Sequence, residues 1–199
     1  MVVLLDAGHG KNTKGKRSPD GVFQEWEFNR DIVRRVRERL ESIGVVSFPV
    51  VYEDDDVSLT GRVSRVNEMC ERIALDGCVL LSIHANAAGD GSRWMCASGW
   101  ECYTTKGKTR SDALAECLYE SFSEKFPDKR MRKDTTDGDC DKEAAFAMIQ
   151  KTRCPAVLLE NFFYDNMEEC EWLMMEKTRA QIAAAIVYGL MLYESKGLL

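Results

Sequence analysis

Met1-Val-Val-Leu-Leu-Asp-Ala-Gly-His-Gly10 opens the chain, and its reading decides the fold. A partly β-branched apolar run that stops at a turn signal predicts a buried strand, here Met1 to Asp6. Ala-Gly-His-Gly then breaks the run. Glycine on both sides of His9 leaves little bulk around the imidazole and lets the backbone turn sharply. In open α/β sheets, ligands bind in crevices beyond the carboxyl ends of the strands. His9 stands at such an end.

The chain has two histidines, and the second is placed in the same way. In Cys78-Val-Leu-Leu-Ser-Ile-His-Ala-Asn-Ala87 an apolar run over Gly77 to Ile83 ends at His84. Two strand-end histidines far apart in sequence are how an α/β enzyme assembles a metal site. A catalytic zinc site takes three protein ligands and leaves a fourth position open, so one ligand remains to be found, most simply a carboxylate. Glu25 and Glu27 both stand at the start of the first predicted helix, and spacing alone does not choose between them. A third strand, Pro155-Ala-Val-Leu-Leu-Glu160, also ends in an ionisable group. A partly desolvated carboxylate there has a raised pKa, which suits it to move protons. Two His, one ligand Glu and one further carboxylate are the inventory of a zinc hydrolase.

Between these ends the pattern predicts an α/β fold, a single domain with a twisted, mostly parallel sheet flanked by helices on both faces. Helices are expected over Glu25 to Ser42, from a Ser58 cap through Leu75, over Ser111 to Phe126, and from about Trp172 to Tyr193. Further strands are expected over Val45 to Tyr52, Gly99 to Thr104, Ala144 to Gln150 and Ala156 to Glu160. Pro49 marks the second strand as an edge. Gly8 to Gly21 reads as an irregular surface loop, and Pro127 to Glu143 as a flexible excursion at the rim.

Composition removes other classes. A net charge of −6 without a Lys/Arg block argues against nucleic acid. The most apolar C-terminal stretch, Ile182 to Leu192, is too short for a membrane span. Met1 leads directly into the His9 strand, so no signal peptide is expected and synthesis is expected in the cytoplasm. The eight cysteines contain no Cys-x-x-Cys pair, which favours reduced thiols packed as small hydrophobes over a disulfide framework or a cysteine zinc site.

Taken together, the motifs resemble the zinc-dependent N-acetylmuramoyl-L-alanine amidases of the amidase 3 family, which include cell-wall hydrolases and phage endolysins. Leu5-Asp-Ala-Gly-His-Gly10 is similar to that family's first metal motif, and Ser82-Ile-His-Ala-Asn-Ala87 to its second. Glu25-Trp-Glu-Phe-Asn29 resembles its Glu-x-x-x-Asn, which selects Glu25 over Glu27. Ser58-Leu with Arg62 and Asn67 resembles the helix before the second metal strand, and Gly99-Trp-Glu-Cys-Tyr103 the strand after it. Pro155-Ala-Val-Leu-Leu-Glu160 resembles the strand bearing the catalytic glutamate.

The resemblance implies Zn²⁺ on His9, Glu25 and His84, with Glu160 as catalytic general base. The implied reaction is hydrolysis of the amide between N-acetylmuramic acid and the L-alanine of the stem peptide. A monomer that meets peptidoglycan after release or delivery is expected. Another zinc amide hydrolase or exopeptidase, or a non-catalytic wall-binding module, is the alternative. Two departures stand out. Asn161-Phe162-Phe163 replaces the family's Thr-Gly-Phe, with Phe162 expected to reshape the cleft. Tyr103 to Ser111 is too short to hold the inhibitory helix of larger members.

Overall fold

In the computed structural model, the described residues are 1–73, 77–136 and 138–197. In chain order they form β1 (Val2–Ala7), α1 (Glu25–Ser42), β2 (Val46–Pro49), α2 (Leu59–Ile73), β3 (Cys78–Asn86) and β4 (Glu101–Thr104). There follow α3 (Arg110–Lys125), β5 (Lys142–Glu143), α4 (Ala147–Gln150), β6 (Ala156–Phe163), α5 (Met167–Met174) and α6 (Glu176–Ser195). The six strands make one sheet in the order β2-β1-β3-β6-β4-β5. β1 pairs in parallel with β2 and β3, and β3 with β6; only the β4–β6 pair is antiparallel.

Strand alternation explains the layers. Val3, Leu5, Val79, Leu81, Val157 and Leu159 face the larger core, which also takes the buried side chains of α1, α3 and α6. Leu4, Leu80, Ala156 and Leu158 face a second core with Val66 of α2 and Met148 of α4. Successive strand residues point to opposite faces, so runs apolar at both parities require helices on both sides. Continuing that parity, Asp6, Ser82, His84 and Glu160 lie on the α2 side as each strand leaves the core.

The first helix runs over the expected residues, and β2 is the edge strand that Pro49 calls for. Ser58 caps α2 through a bond from the Gly61 amide (3.2 Å). The expected continuation of α2 to Leu75 lies outside the described residues beyond Ile73. Three expectations are corrected. Ala144 to Gln150 is not a strand: only Lys142–Glu143 pairs with β4, and Ala147–Gln150 is one helical turn. A short apolar run does not tell a buried strand from a helical turn, and here Met148 and Ile149 are buried together in the second core. The last helix is two, broken at Met175, whose ψ of 132° is extended. The Pro127 to Glu143 excursion is tied down, with Met131 bridged to Trp100 and Asp141 buried beside Thr104.

Candidate active site

β1, β3 and β6 are adjacent, so their carboxyl ends converge. His84 on β3 sits in register beside Glu160 on β6. His9 follows β1 across the same crevice, its ring edge-on to that of His84 with centroids 4.9 Å apart. The third element is the first turn of α1. Glu25 is 1 % exposed, its Oε1 lying 3.1 Å from His84 Nδ1 and 3.4 Å from His9 Nε2. Glu27, one residue beyond Trp26, is exposed.

His9 itself carries the turn. Its φ is 61°, the left-handed region that costs a residue with a Cβ of order 1 kcal/mol or more. Such a conformation persists where surrounding bonds hold it. Here the His9 carbonyl accepts from Arg62 Nη2 (2.9 Å) and Arg30 Nη1 (3.1 Å). The flanking glycines serve close approach rather than φ. A Cβ on Gly8 would lie 2.1 Å from His84 Cε1, and one on Gly10 would lie 2.1 Å from the Asp56 backbone nitrogen.

Arg62 reaches in from α2 and is 2 % exposed. It donates to Asp6 Oδ1 (2.7 Å), Asp56 Oδ1 (2.8 Å), and the carbonyls of Ala7 (2.6 Å) and Val57 (2.8 Å) besides that of His9. Asp6 Oδ2 accepts from Ser82 Oγ (2.7 Å). A guanidinium with all its donors used fixes two strand ends and the His9 loop at once. Asn29, one turn along α1 from Glu25, donates to the Gly8 carbonyl (3.1 Å). Asn161 donates to the His84 carbonyl (2.9 Å) and accepts from Trp100 Nε1 (3.1 Å).

Glu101 and Glu160, the two strand carboxylates of the crevice, differ in what satisfies them. Glu101 on β4 is paired in register with Glu160 and is 3 % exposed. It accepts from Arg132 Nε (2.8 Å), Asn86 Nδ2 (2.5 Å), Tyr103 Oη (3.1 Å) and the Lys142 ammonium. Glu160 has no such set: its Oε2 is buried without a hydrogen-bond partner. Burial pushes its pKa up to about 8, assisted by the charges of Glu25 and Glu101 and opposed by His84 and Lys16. Burial takes His9 down to about 4 against the pull of Glu25. Burial also opposes charge on His84, but its bond to Glu25 and the charge of Glu160 outweigh that and raise it.

The imidazoles of His9 and His84 and the carboxylate of Glu25 offer ligand atoms all within 4.8 Å of one another. Glu25 Oε2 is buried without a hydrogen-bond partner, the nearest cation being Lys16 Nζ at 3.9 Å. Two imidazoles and a carboxylate with one oxygen left unpartnered fit a divalent cation. A cleft of about 190 Å³ opens beside them, walled by Val57, Leu59 and Met148 as well as by Arg62. A larger hollow of about 620 Å³ between α3 and α6 contains none of these groups, so size alone does not mark the site.

Phe162 departs from expectation. It is fully buried and packs edge-on against Phe126 and Trp172, at 5.7 and 4.9 Å between centroids, away from the cleft. Arg132 and Lys142 were missed by sequence reasoning because the segment carrying them has no periodicity. The available signal was the density of charge in Lys129-Arg130-Met131-Arg132-Lys133 and Asp139-Cys140-Asp141-Lys142.

Comparison with known proteins identifies the family of the chain and its fold. The amidase 3 family model, N-acetylmuramoyl-L-alanine amidase, matches residues 3–191. The N-acetylmuramoyl-L-alanine amidase LytC of Bacillus subtilis (strain 168) is 30 % identical over 195 residues, which are 96 % of this chain and 35 % of that protein. The endolysin of Bacillus phage SPP1 is 26 % identical over 197 residues, 95 % of this chain and 64 % of that one. The chain thus spans between a third and two thirds of these relatives. Among solved structures, the N-acetylmuramoyl-L-alanine amidase from Clostridium difficile 630 superposes with a TM-score of 0.83 at 26 % identity, covering 98 % of this chain and 96 % of that one. The catalytic domain of CwlV from Bacillus (Paenibacillus) polymyxa var. colistinus gives 0.77 at 26 % identity and 98 % of each chain.

Proposed function

The chain belongs to the N-acetylmuramoyl-L-alanine amidase family, and we propose that it is a zinc-dependent catalytic domain that hydrolyses the amide between N-acetylmuramic acid and L-alanine in peptidoglycan. The observation that carries this is the convergence of His9, Glu25 and His84 beside Glu160, whose Oε2 is buried without a hydrogen-bond partner. His9, Glu25 and His84 hold the ion. Bound there, zinc supplies a Lewis acid for the carbonyl and lowers the pKa of water toward neutrality.

The chain's own groups do the rest. Glu160 accepts the proton of the attacking water and delivers one to the departing alanine nitrogen, a role that needs a carboxylate free of competing donors. Glu101 is not that base, because Arg132 and Lys142 hold it ionised and occupied. Asn29, Arg30 and Arg62 keep the His9 loop in its high-energy turn. Val57, Leu59 and Met148 give the cleft an apolar wall for the sugar face or the stem peptide.

The connection between β4 and α3 is residues 105–109 only, so nothing inserted there covers the crevice and activity needs no activator. The domain works as a monomer on cell wall to which it has been delivered. Among the described residues no helix is long and apolar enough to cross a membrane. The test is mass spectrometry of sacculi digested by the zinc-loaded protein. Free stem peptides beginning in L-alanine, without new reducing sugar ends, are expected. Release of amino acids from peptide termini instead would identify an exopeptidase, and absence of any product a binding module.

A further inference from the structure

At the other end of β3 from His84, three thiols meet. Cys70 lies in the last turns of α2, Cys78 is the first residue of β3, and Cys154 stands two residues before β6. Their exposures are 0, 0 and 5 %. The three Sγ atoms lie within 4.8 Å of one another, with Cys70 and Cys78 at 3.1 Å. No disulfide joins them. Helix period places Cys70, the start of a strand places Cys78 and an irregular segment places Cys154, so nothing local to the sequence makes them converge. Cys102, Cys117 and Cys170 are as deeply buried, and among the described residues no other cysteines form such a group. Burial as small hydrophobes is therefore met elsewhere in this chain without clustering.

We propose that Cys70, Cys78 and Cys154 form a second metal site, for a thiophilic d¹⁰ cation, Zn²⁺ or Cu⁺. Soft thiolates without an imidazole or carboxylate select such ions over magnesium or calcium. A Zn–S bond of about 2.3 Å in tetrahedral geometry sets sulfurs about 3.8 Å apart, a distance bracketed by the 3.1 Å pair and the 4.8 Å limit. The surroundings are apolar, with Leu4, Val66, Leu80 and Met148 in the same buried cluster. Burial raises the thiol pKa of Cys78 to about 12 and that of Cys154 further, so without an ion these two stay protonated. Binding exchanges thiol protons for the cation, and the Arg110 charge, which already favours the Cys78 thiolate, offsets part of the charge that remains.

His84 lies six steps along β3 from Cys78, about 20 Å at 3.3 Å per residue, so the two sites take separate ions. The thiol site clips α2 to the starts of the two strands that deliver His84 and Glu160. An ion bound only by the folded state stabilises it by mass action.

The experiment loads reduced, chelator-treated protein with Co²⁺ under anaerobic conditions, and in a parallel arm with Cu⁺. Thiolate–cobalt charge transfer absorbs in the near ultraviolet, and His9, Glu25 and His84 have no sulfur to produce it. A near-ultraviolet band is expected in the wild type, where His9, Glu25 and His84 take up a second equivalent, and in His84→Ala, where it saturates at one equivalent. It should be lost in Cys154→Ala, which retains one bound ion and the amidase product. Tm should rise with metal in His84→Ala and not in the double variant with Cys154→Ala. Stoichiometric thiolate-ligated Cu⁺ with no cobalt band assigns the site to Cu⁺. Absence of thiolate ligation to either metal in the wild type overturns the proposal whatever the variants do. So does a thiol count on denatured, untreated protein two short of eight, which would mark a disulfide pair.

Discussion

Arg62 Nη1 lies 2.7 Å from Asp6 Oδ1, and neither side chain is more than 2 % exposed. This buried ion pair joins α2 to the end of β1, and the same guanidinium holds the carbonyl of the next-but-two residue, His9. Removing one partner of a buried pair costs about 3–5 kcal/mol, because the other charge is left uncompensated. Arg62→Met should be destabilised by that order in chemical denaturation. Arg62→Lys should recover part of the stability but not the grip on His9, since an ammonium lacks the planar fork. Metal affinity in Arg62→Lys should remain below wild type. Full affinity there would mean that the His9 turn does not depend on the guanidinium.

Gly8→Ala tests the closest approach in the crevice. Its Cβ would enter the imidazole of His84 at 2.1 Å, so His84 or the loop must move. A displacement near 1 Å at a catalytic centre costs on the order of 10²-fold in rate. We expect that loss in muropeptide turnover, with far-ultraviolet circular dichroism unchanged. A variant of wild-type activity would show that the crevice accommodates a methyl group beside His84.

Phe162 has a φ of 65° and is fully buried. Truncating a buried Phe to Ala costs about 3–5 kcal/mol, and Ala keeps the left-handed strain. Phe162→Gly loses the same ring but relieves the strain, of order 1 kcal/mol. The glycine variant should therefore be the more stable of the two, the reverse of the usual order within a strand. Equilibrium urea denaturation of both variants decides it. Cleavage specificity should not follow the substitution, because the ring packs on Phe126 and Trp172 rather than in the cleft.

Glu160→Gln should keep the metal and lose about 10²- to 10⁴-fold in kcat, the range for a general acid–base group. Glu25→Gln should lose metal affinity first. Zinc content measured beside turnover at saturating zinc distinguishes them. A Glu25 variant that is metal-replete yet inactive would exchange the two roles.

Asp141 supplies the pH dependence. Burial raises its pKa to about 7, with Asp139 and Asp112 adding to the rise and the Thr104 hydroxyl opposing it. The folded state then holds a proton that the unfolded chain releases near pH 4. Stability from this group is complete below about pH 4 and is lost as pH rises through about 7. Asp141→Asn is neutral throughout, so its stability relative to wild type should increase between pH 4.5 and pH 8. A constant difference across that range would mean that Asp141 titrates as it does in the unfolded chain.

Local pattern alone determined which segments of this chain are strands buried on both faces, where α1 begins and ends, and that His9, His84 and Glu160 stand at strand ends. Those features follow from side-chain period and backbone chemistry within a dozen residues. The choice between Glu25 and Glu27 needed the resemblance to a family, and the fold shows its physical basis: one helical position faces both histidines and the other faces solvent. Contacts between distant segments lay beyond any local pattern. Met148 and Ile149 became a helical turn because the space beside α2 was theirs to fill. Phe162 turned away from the cleft because an aromatic pocket from α3 and α5 received it at a positive φ. Arg132 and Lys142 found Glu101 from a segment without periodicity, and three unrelated cysteines met at the far end of β3. Each of these is decided by which strands lie side by side, and that is a property of how the whole chain closes its two cores.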